Sequence, residues 1–375
     1  MGRPRVIPFS PIMPREEIDD KPFNEATRTK LDLFERYARE WLPVFLGERI
    51  AYPEINLCDF FSGSGADSEG TPGSALRLLS VIREFRGLIA QRPVQVRVFL
   101  SDVSAAKIVR LRERITADGF DKLPVELDVV DLSFEKRFQT LLPRLSRRGA
   151  ANLLVVDQYG VKHLDATFDA IVRCPTTDFL AFVSSSWFQR FHSLPEVQRY
   201  QVDHRPEAWH LAHRAALKAF RERLPPDLRY YLGEFTLKSG SNIYGVVFGS
   251  AHPLGMAKFL KSAWELDGVN GSANFDVERE GIFGESNLLM PFASTPKKVE
   301  VFEQELEEWI RAVLLRDEMD VLELCFLHGV TPQHAGPILK KLRREGVHIA
   351  SWWVPDPRNH RNARPLYPSS IRLHP

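Results

Sequence analysis

The apolar positions of the chain follow two different periods. Near the start, Leu31, Phe34, Tyr37, Ala38, Trp41 and Leu42 recur three and four residues apart, which predicts a helix from about residue 27 to Gly47 with one buried face. Short apolar runs of strand length come next, at 55–61, 94–100, 125–130, 152–156 and 179–183. Between them the period returns to that of a helix, at 75–89, 104–115, 134–142 and 165–172. Strands alternating with helices imply a parallel sheet. The run Asn152-Leu153-Leu154-Val155-Val156 is the most apolar and belongs at the centre, buried on both faces. Residues 235–238 and 243–248 flank Ser239-Gly240-Ser241-Asn242, whose chemistry suits a hairpin turn. A helix is expected at 253–266, and the stretch 267–284 is polar.

A separate unit begins near residue 296. Residues 299–315 are amphipathic and acidic outside, and 318–328 and 331–345 read as a helix–turn–helix pair around Gly329. Thr331-Pro332 is a good opening for the second of these helices. Residues 347–353 and 366–373 are expected as a wing. Lys340, Lys341, Arg343, Arg344, Arg358, Arg361 and Arg364 make the unit locally basic. Such a winged-helix-like domain contacts nucleic acid or a protein partner, or carries only a solvated face. The expected division is a loose arm at 1–24, rich in proline and charge, a main domain at 25–290 and the small domain at 296–375.

Composition narrows the class. The chain has 375 residues, 44% hydrophobic and 26% charged, with a formal net charge of +1. No global field draws it to nucleic acid or membrane, and no apolar run is long enough to span a bilayer. The first residues lack the apolar core of a signal peptide. Cys58, Cys174 and Cys325 stand far apart, which argues against a zinc site or a disulfide framework. A reducing, cytoplasmic location is expected.

The candidate chemistry gathers at the strand ends. The first strand carries Asp59 near its end and runs into Ser62-Gly63-Ser64-Gly65, and Gly70-Thr71-Pro72-Gly73-Ser74 leads into the next helix. Glycine accepts φ > 0 and lets a ligand approach the backbone, and free N–H groups at a helix start favour an anionic or polar ligand. Thr71 is expected to cap that helix with Pro72 in its first turn. Ser68 stands where a dinucleotide fingerprint has its third glycine, and no Gly-Lys supplies a phosphate loop. An acid followed by a small-residue turn suits S-adenosylmethionine (SAM), which has no phosphates. Asp59 can hold its ammonium, and backbone N–H groups its carboxylate. The plain alternative is a glycine-rich junction without a ligand. Asp102 ends the second strand, where a carboxylate can accept from both ribose hydroxyls or begin a helix. Asp131 ends the third and can reach the adenine amino group, or it or Ser133 can cap the helix that follows. Asp157-Gln158-Tyr159-Gly160 ends the fourth. Ligands of open parallel sheets sit at these carboxyl ends, so four acids in register there point to one cleft. A terminal antiparallel hairpin on a mostly parallel sheet is the habit of SAM-dependent methyltransferases. The expected fold is therefore α/β, Rossmann-like and of the class I methyltransferase type.

The combination resembles the three-Cys-motif partner proteins, a bacterial group classed as SAM-dependent methyltransferase-like. The shared pattern includes Lys30, Tyr37 and Trp41-Leu42-Pro43 in the opening helix. It includes Asp59-Phe60-Phe61-Ser62-Gly63-Ser64-Gly65, then Glu69 and Pro72-Gly73-Ser74, Asp102, and Asp157-Gln158-Tyr159-Gly160. Gln189-Arg190-Phe191, His252-Pro253-Leu254-Gly255, Trp264 and Asn274-Phe275-Asp276 follow in order. Gln158 replaces the family's proline, and Ser62 and Ser64 its usual Ala and Pro. The resemblance implies cofactor binding by Asp59, Phe61, Ser62, Gly63, Gly65, Ser74, Asp102 and Asp131. The strand end Asp157-Gln158-Tyr159 also resembles the acid–Pro–aromatic arrangement of enzymes that methylate planar amino groups on nucleobases, which implies methyl transfer to an amino or ring nitrogen of a nucleobase-like acceptor, on nucleic acid or a nucleotide. Asp157 and a following carbonyl would accept the amino hydrogens, with Tyr159 as the stacking platform beside Gln158 and Gly160. A strand-end turn holding a helix cap is the structural alternative for Asp157-Gln158-Tyr159. His163 lies close enough in sequence to serve as a base or substrate contact, or to be incidental. The competing function is a SAM-fold module without turnover, acting as a binding or regulatory protein through its C-terminal unit.

Overall fold

The structure, a computed structural model, describes residues 21–48, 52–190, 195–200, 212–239, 242–273, 298–352 and 354–367. Residues 1–20 of the arm expected at 1–24, the hairpin tip at 240–241, Phe191 and Asn274-Phe275-Asp276 lie outside the described residues, while Phe23 of the arm is buried and donates its N–H to Asp67. The elements run α1 (Glu25–Phe45), β1 (Glu54–Asp59), α2 (Ser74–Glu84), α3 (Arg86–Gln91), β2 (Gln95–Asp102), α4 (Ala105–Ala117), β3 (Glu126–Asp131), α5 (Phe134–Leu145), β4 (Ala150–Val156), α6 (Lys162–Arg173), β5 (Thr177–Ser184), α7 (Ser185–Arg190), α8 (Pro195–Gln198), α9 (Ala212–Glu222), β6 (Tyr231–Ser239), β7 (Asn242–Ser250) and α10 (Pro253–Leu266). The C-terminal unit follows with α11 (Lys298–Arg311), α12 (Glu318–Leu327) and α13 (Ala335–Arg344).

One seven-stranded sheet has the order β3-β2-β1-β4-β5-β7-β6. Strands β1 to β5 are parallel, and β7 is antiparallel to both β5 and β6. This is the Rossmann-like methyltransferase sheet with its terminal hairpin. The chain steps outward from β1 to β3 and then returns to β4 on the other side, so β1 and β4 flank the point where the strand order reverses. In open parallel sheets ligands bind at this point, beyond the carboxyl ends of the strands. Every residue of β4 is buried, as its apolar run requires.

Helices cover both faces. On one, α1, α2, α4 and α10 share a core with β1, β2 and the C-terminal helices; on the other, α5, α6 and α9 pack with Phe168, Phe179 and Phe220. Asn24 starts α1 by accepting from the Thr27 N–H, and the expected face of Leu31, Phe34, Tyr37, Ala38, Trp41 and Leu42 is buried. No helix among the described residues is long and apolar enough to cross a membrane.

Three expectations change. The helix expected at 75–89 is two helices that break at Phe85. Its start also lies later than Thr71-Pro72: Ser74 opens α2 and Gly73 occupies the cap position without a side-chain bond. Asp67 explains the shift. One of its oxygens accepts from the Glu69 and Thr71 N–H groups and the other from Phe23, while Ala66 and Pro72 form an antiparallel bridge. This side chain closes 66–72 into a loop before any helix can begin. In the C-terminal unit the helix pair forms as expected, with Pro332 opening a short turn ahead of α13. The strand expected at 347–353, however, does not form among the described residues, and 368–373 of the second wing segment lie outside them. Ala350 N–H donates to Leu366 C=O at 2.7 Å, but Ile349 N–H closes on Val347 C=O at 3.0 Å, a local turn in place of a ladder. The segment is held instead by buried Glu318, which accepts from Asp356 N–H at 3.1 Å and from Arg364 Nε at 2.8 Å. The C-terminal helices meet the rest of the described chain at Trp264 of α10, whose Nε1 donates to Gly329 C=O at 3.1 Å, and at Tyr231, which packs against Phe326.

Candidate active site

The glycine turn after β1 has the backbone its residues suggest. Gly63 has φ 58° and Gly65 φ 91°. A Cβ on Gly65 would lie 2.8 Å from Leu111 of α4, so the turn is also tight against that helix. The Ser62 hydroxyl donates to Asp59 C=O and accepts from Ser101 N–H, which ties the turn to β2. From α4, Arg114 Nη1 donates to Ser64 C=O at 2.8 Å, to Ser64 Oγ at 3.1 Å and to Ala66 C=O at 2.9 Å. One guanidinium thus holds the 64–66 end of the turn.

The acids at the strand ends are staggered rather than level. Asp59 pairs with Leu100 of β2 and Val155 of β4, so Asp102 and Asp157 each stand two residues further out. Asp102 and Asp131 are true register partners. Asp59 forms the floor. It is fully buried, accepts from Phe61 N–H at 3.1 Å, and takes the Ser74 hydroxyl at 2.6 Å. It therefore joins the turn to the first residue of α2. Burial pushes its carboxyl up to about 7; the bonds from Ser74 and Phe61 oppose this, and the charges of Asp157 and Asp102 add to it.

Asp102 does two jobs already. One oxygen accepts from Gly63 N–H at 3.2 Å and the other from Ser104 N–H at 2.9 Å. The helix-start alternative for Asp102 is thus realised in part, together with a direct hold on the turn, while Ser104 itself caps α4. Asp131 is exposed at the rim, and no side-chain bond from Ser133 caps α5. Phe61 is half-buried and stacks on Phe134, with the His163 ring 5.5 Å away. His163 turns toward α5, with Nδ1 2.8 Å from Glu135 Oε1, which makes it a bridge between α5 and α6.

At the end of β4 the residues divide their roles. Asp157 Oδ2 meets the Lys30 ammonium from α1 at 2.5 Å, and the Asp157 side chain keeps 21% exposure. Gln158 points inward, 1% exposed, and its Oε1 accepts from His163 N–H at 2.8 Å and Leu164 N–H at 3.0 Å. It caps α6, so the cap alternative holds for Gln158 but not for Asp157. Tyr159 is 49% exposed at the mouth. Gly160 has φ 87°, and a Cβ there would lie 2.9 Å from the Trp187 indole. The strand ends thus bring together a glycine turn, three carboxylates and an exposed aromatic ring. Lys30 and Arg114 join the site beyond the candidate residues the sequence singles out. A lysine on the apolar stripe of α1 is a visible signal; Arg114 gives none.

No family model matches the sequence, and no curated protein matches it. Among solved structures, the chain is similar to the delta-N METTL16 MTase domain at 6% identity, over 58% of this chain and 82% of that one, with a TM-score of 0.31. It is similar to a methyltransferase from Geobacter sulfurreducens at 14% identity, over 61% and 79%, with a TM-score of 0.29. A SAM-dependent methyltransferase from Aquifex aeolicus aligns at 10% identity, over 61% and 100%, with a TM-score of 0.24. At such scores the fold assignment stands on the strand order and directions of the sheet itself: a Rossmann-like methyltransferase fold.

Proposed function

We propose that the chain is a SAM-dependent methyltransferase of the three-Cys-motif partner type, acting on an amino or ring nitrogen of a nucleobase-like acceptor. The observation that carries this reading is Asp157. Its carboxylate stands just past the end of β4, at the strand-order reversal, and only Oδ2 is engaged among the described residues. The site fits the cofactor in its donor set. Backbone N–H groups of the turn suit a carboxylate, Asp59 an ammonium on rearrangement of Ser74, Asp102 the ribose hydroxyls and Asp131 the adenine amino group. When bound, the cofactor supplies an electrophilic methyl group. Asp157 Oδ1 accepts an N–H of the acceptor, orients its lone pair and takes up the proton the nitrogen must lose. Tyr159 offers a face on which a planar base stacks. Catalysis of this kind is chiefly alignment in a dry, shaped site.

A second reading has one observation in its favour. Gln158 is committed to capping α6, so the strand end has no proline and no rigid φ there. That reading is a SAM-fold binding protein without turnover. Its nucleic-acid form loses support from the C-terminal unit, where several cations are spent internally. Lys341 pairs with Glu307, Arg358 with Asp356 and Arg364 with Glu318, and Arg343 donates to Ala350 and Trp352 carbonyls. Incubation with methyl-labelled SAM and separate pools of nucleic acid, protein and small molecules decides between them. Label should enter nucleic acid or nucleotides, and Asp157→Ala should cut transfer by about a hundredfold while SAM affinity stays within a few-fold. SAM binding with no label in any pool would establish the second reading.

A further inference from the structure

Lys30 lies on the buried face of α1, with 7% of its surface exposed. A lysine so placed loses hydration, and a methionine would fill the same volume without that loss. Its ammonium stands 2.5 Å from Asp157 Oδ2 and 4.5 Å from the centroid of the Phe182 ring on β5. The stem and ring fix the ammonium, and the ammonium fixes one oxygen of Asp157. Asp157 Oδ1 has no hydrogen-bond partner among the described residues, and the side chain is partly exposed. Without Lys30, Asp157 would have no paired cation among the described residues, and its charge already reaches buried Asp59. An unpaired carboxylate draws a cation; a carboxylate paired with a buried ammonium offers a hydrogen-bond acceptor with little net field, and its ammonium repels a second cation a few ångströms away.

We infer that Lys30 is a positioning residue that sets the charge of the acceptor end, so that the site takes a neutral planar N–H donor, such as an aromatic amine or amide, and rejects a protonated alkylamine. This rests on the methyltransferase reading above. It narrows the acceptor class by electrostatics rather than by shape.

The test needs no methyl acceptor. Sinefungin carries a primary ammonium where SAM carries its methyl, and S-adenosylhomocysteine carries nothing there. The ratio of their affinities, measured by calorimetry, reads the charge at the acceptor end. In the wild type the two should bind within about threefold of each other. Lys30→Met should shift the ratio toward sinefungin by about tenfold or more, because the new ammonium then meets an unpaired carboxylate. Lys30→Arg should restore the wild-type ratio, which a purely structural role for Lys30 would not predict. Asp157→Asn should shift the ratio the opposite way, against sinefungin, and it carries the test if Lys30→Met does not fold. A ratio unmoved by Asp157→Asn, or by a folded Lys30→Met, overturns the inference, as does strong sinefungin preference in the wild type. If S-adenosylhomocysteine binds none of the proteins, the cofactor reading fails first and takes the inference with it.

Discussion

Replacing Asp59 with asparagine should stabilise the fold at alkaline pH and do little at acid pH. Asp59 is fully buried, and burial holds its carboxyl up to about 7. In the unfolded chain the same group ionises near pH ~4. Below that, the carboxyl is protonated in both states, and the folded state carries no penalty. Between about pH 4 and 7 only the unfolded chain releases its proton, so stability falls as pH rises. Above about pH 7 the folded carboxyl ionises in place, and the whole loss, about 4 kcal/mol, has been incurred. Asparagine does not titrate. Its oxygen can still accept from Phe61 N–H, and its amide can donate to Ser74 Oγ in place of accepting from it. That rearrangement costs about 1 kcal/mol. The expected net effect is a gain of about 3 kcal/mol at pH ~8 and a change near zero at pH ~5. Urea unfolding of both proteins at the two pH values measures it. Taking the difference between them isolates this residue from Asp178, which burial holds up to about 6 in both. A variant-minus-wild-type difference that is the same at both pH values refutes a buried, protonated Asp59.

Arg114→Ala removes three hydrogen bonds to the glycine turn and none to its own helix, so α4 should persist while SAM affinity falls by about 1–3 kcal/mol, read by calorimetry with circular dichroism as the folding control. Gln158→Pro supplies the residue found in the resembling family but removes the cap of α6; it should lower the unfolding free energy by about 1 kcal/mol or more and leave methyl transfer no higher than in the wild type.

The periods of the chain made the sheet legible. The apolar run at β4, the alternation of strand and helix, the buried face of α1 and the bounds of α10 all followed from local patterning, because each depends on residues within a few turns of one another. The glycine turn was equally legible, since Gly63 and Gly65 do adopt φ > 0. What failed were features set by a single competing side chain. Thr71-Pro72 reads as a helix start, but Asp67, four residues upstream of Thr71, takes the Thr71 N–H and keeps the segment a loop. Gln158 reads as a gap in a proline motif, yet its amide reaches the N–H groups of the next helix, a local contact that spacing alone does not announce. The stagger of Asp59 against Asp102 and Asp157 needed the register. Lys30 was visible as a charge on an apolar stripe, but its partner lies 127 positions away. The apolar run at 347–353 reads as a strand, but Ile349 N–H closes locally on Val347 C=O, a contact that the pattern does not announce.

Calorimetric titration with SAM of the wild type and of Gly63→Val tests the central assignment most directly. Gly63 has φ 58° and donates its N–H to Asp102 at 3.2 Å, so it joins the turn to the proposed ribose acid. A β-branched residue does not adopt that backbone without strain, and its side chain would stand where a ligand must approach. The wild type should bind SAM at one saturable site, and a Gly63→Val protein with unchanged circular dichroism should show no binding. Absence of binding by the wild type, or equal binding by both, contradicts a SAM cleft at the ends of β1 and β4.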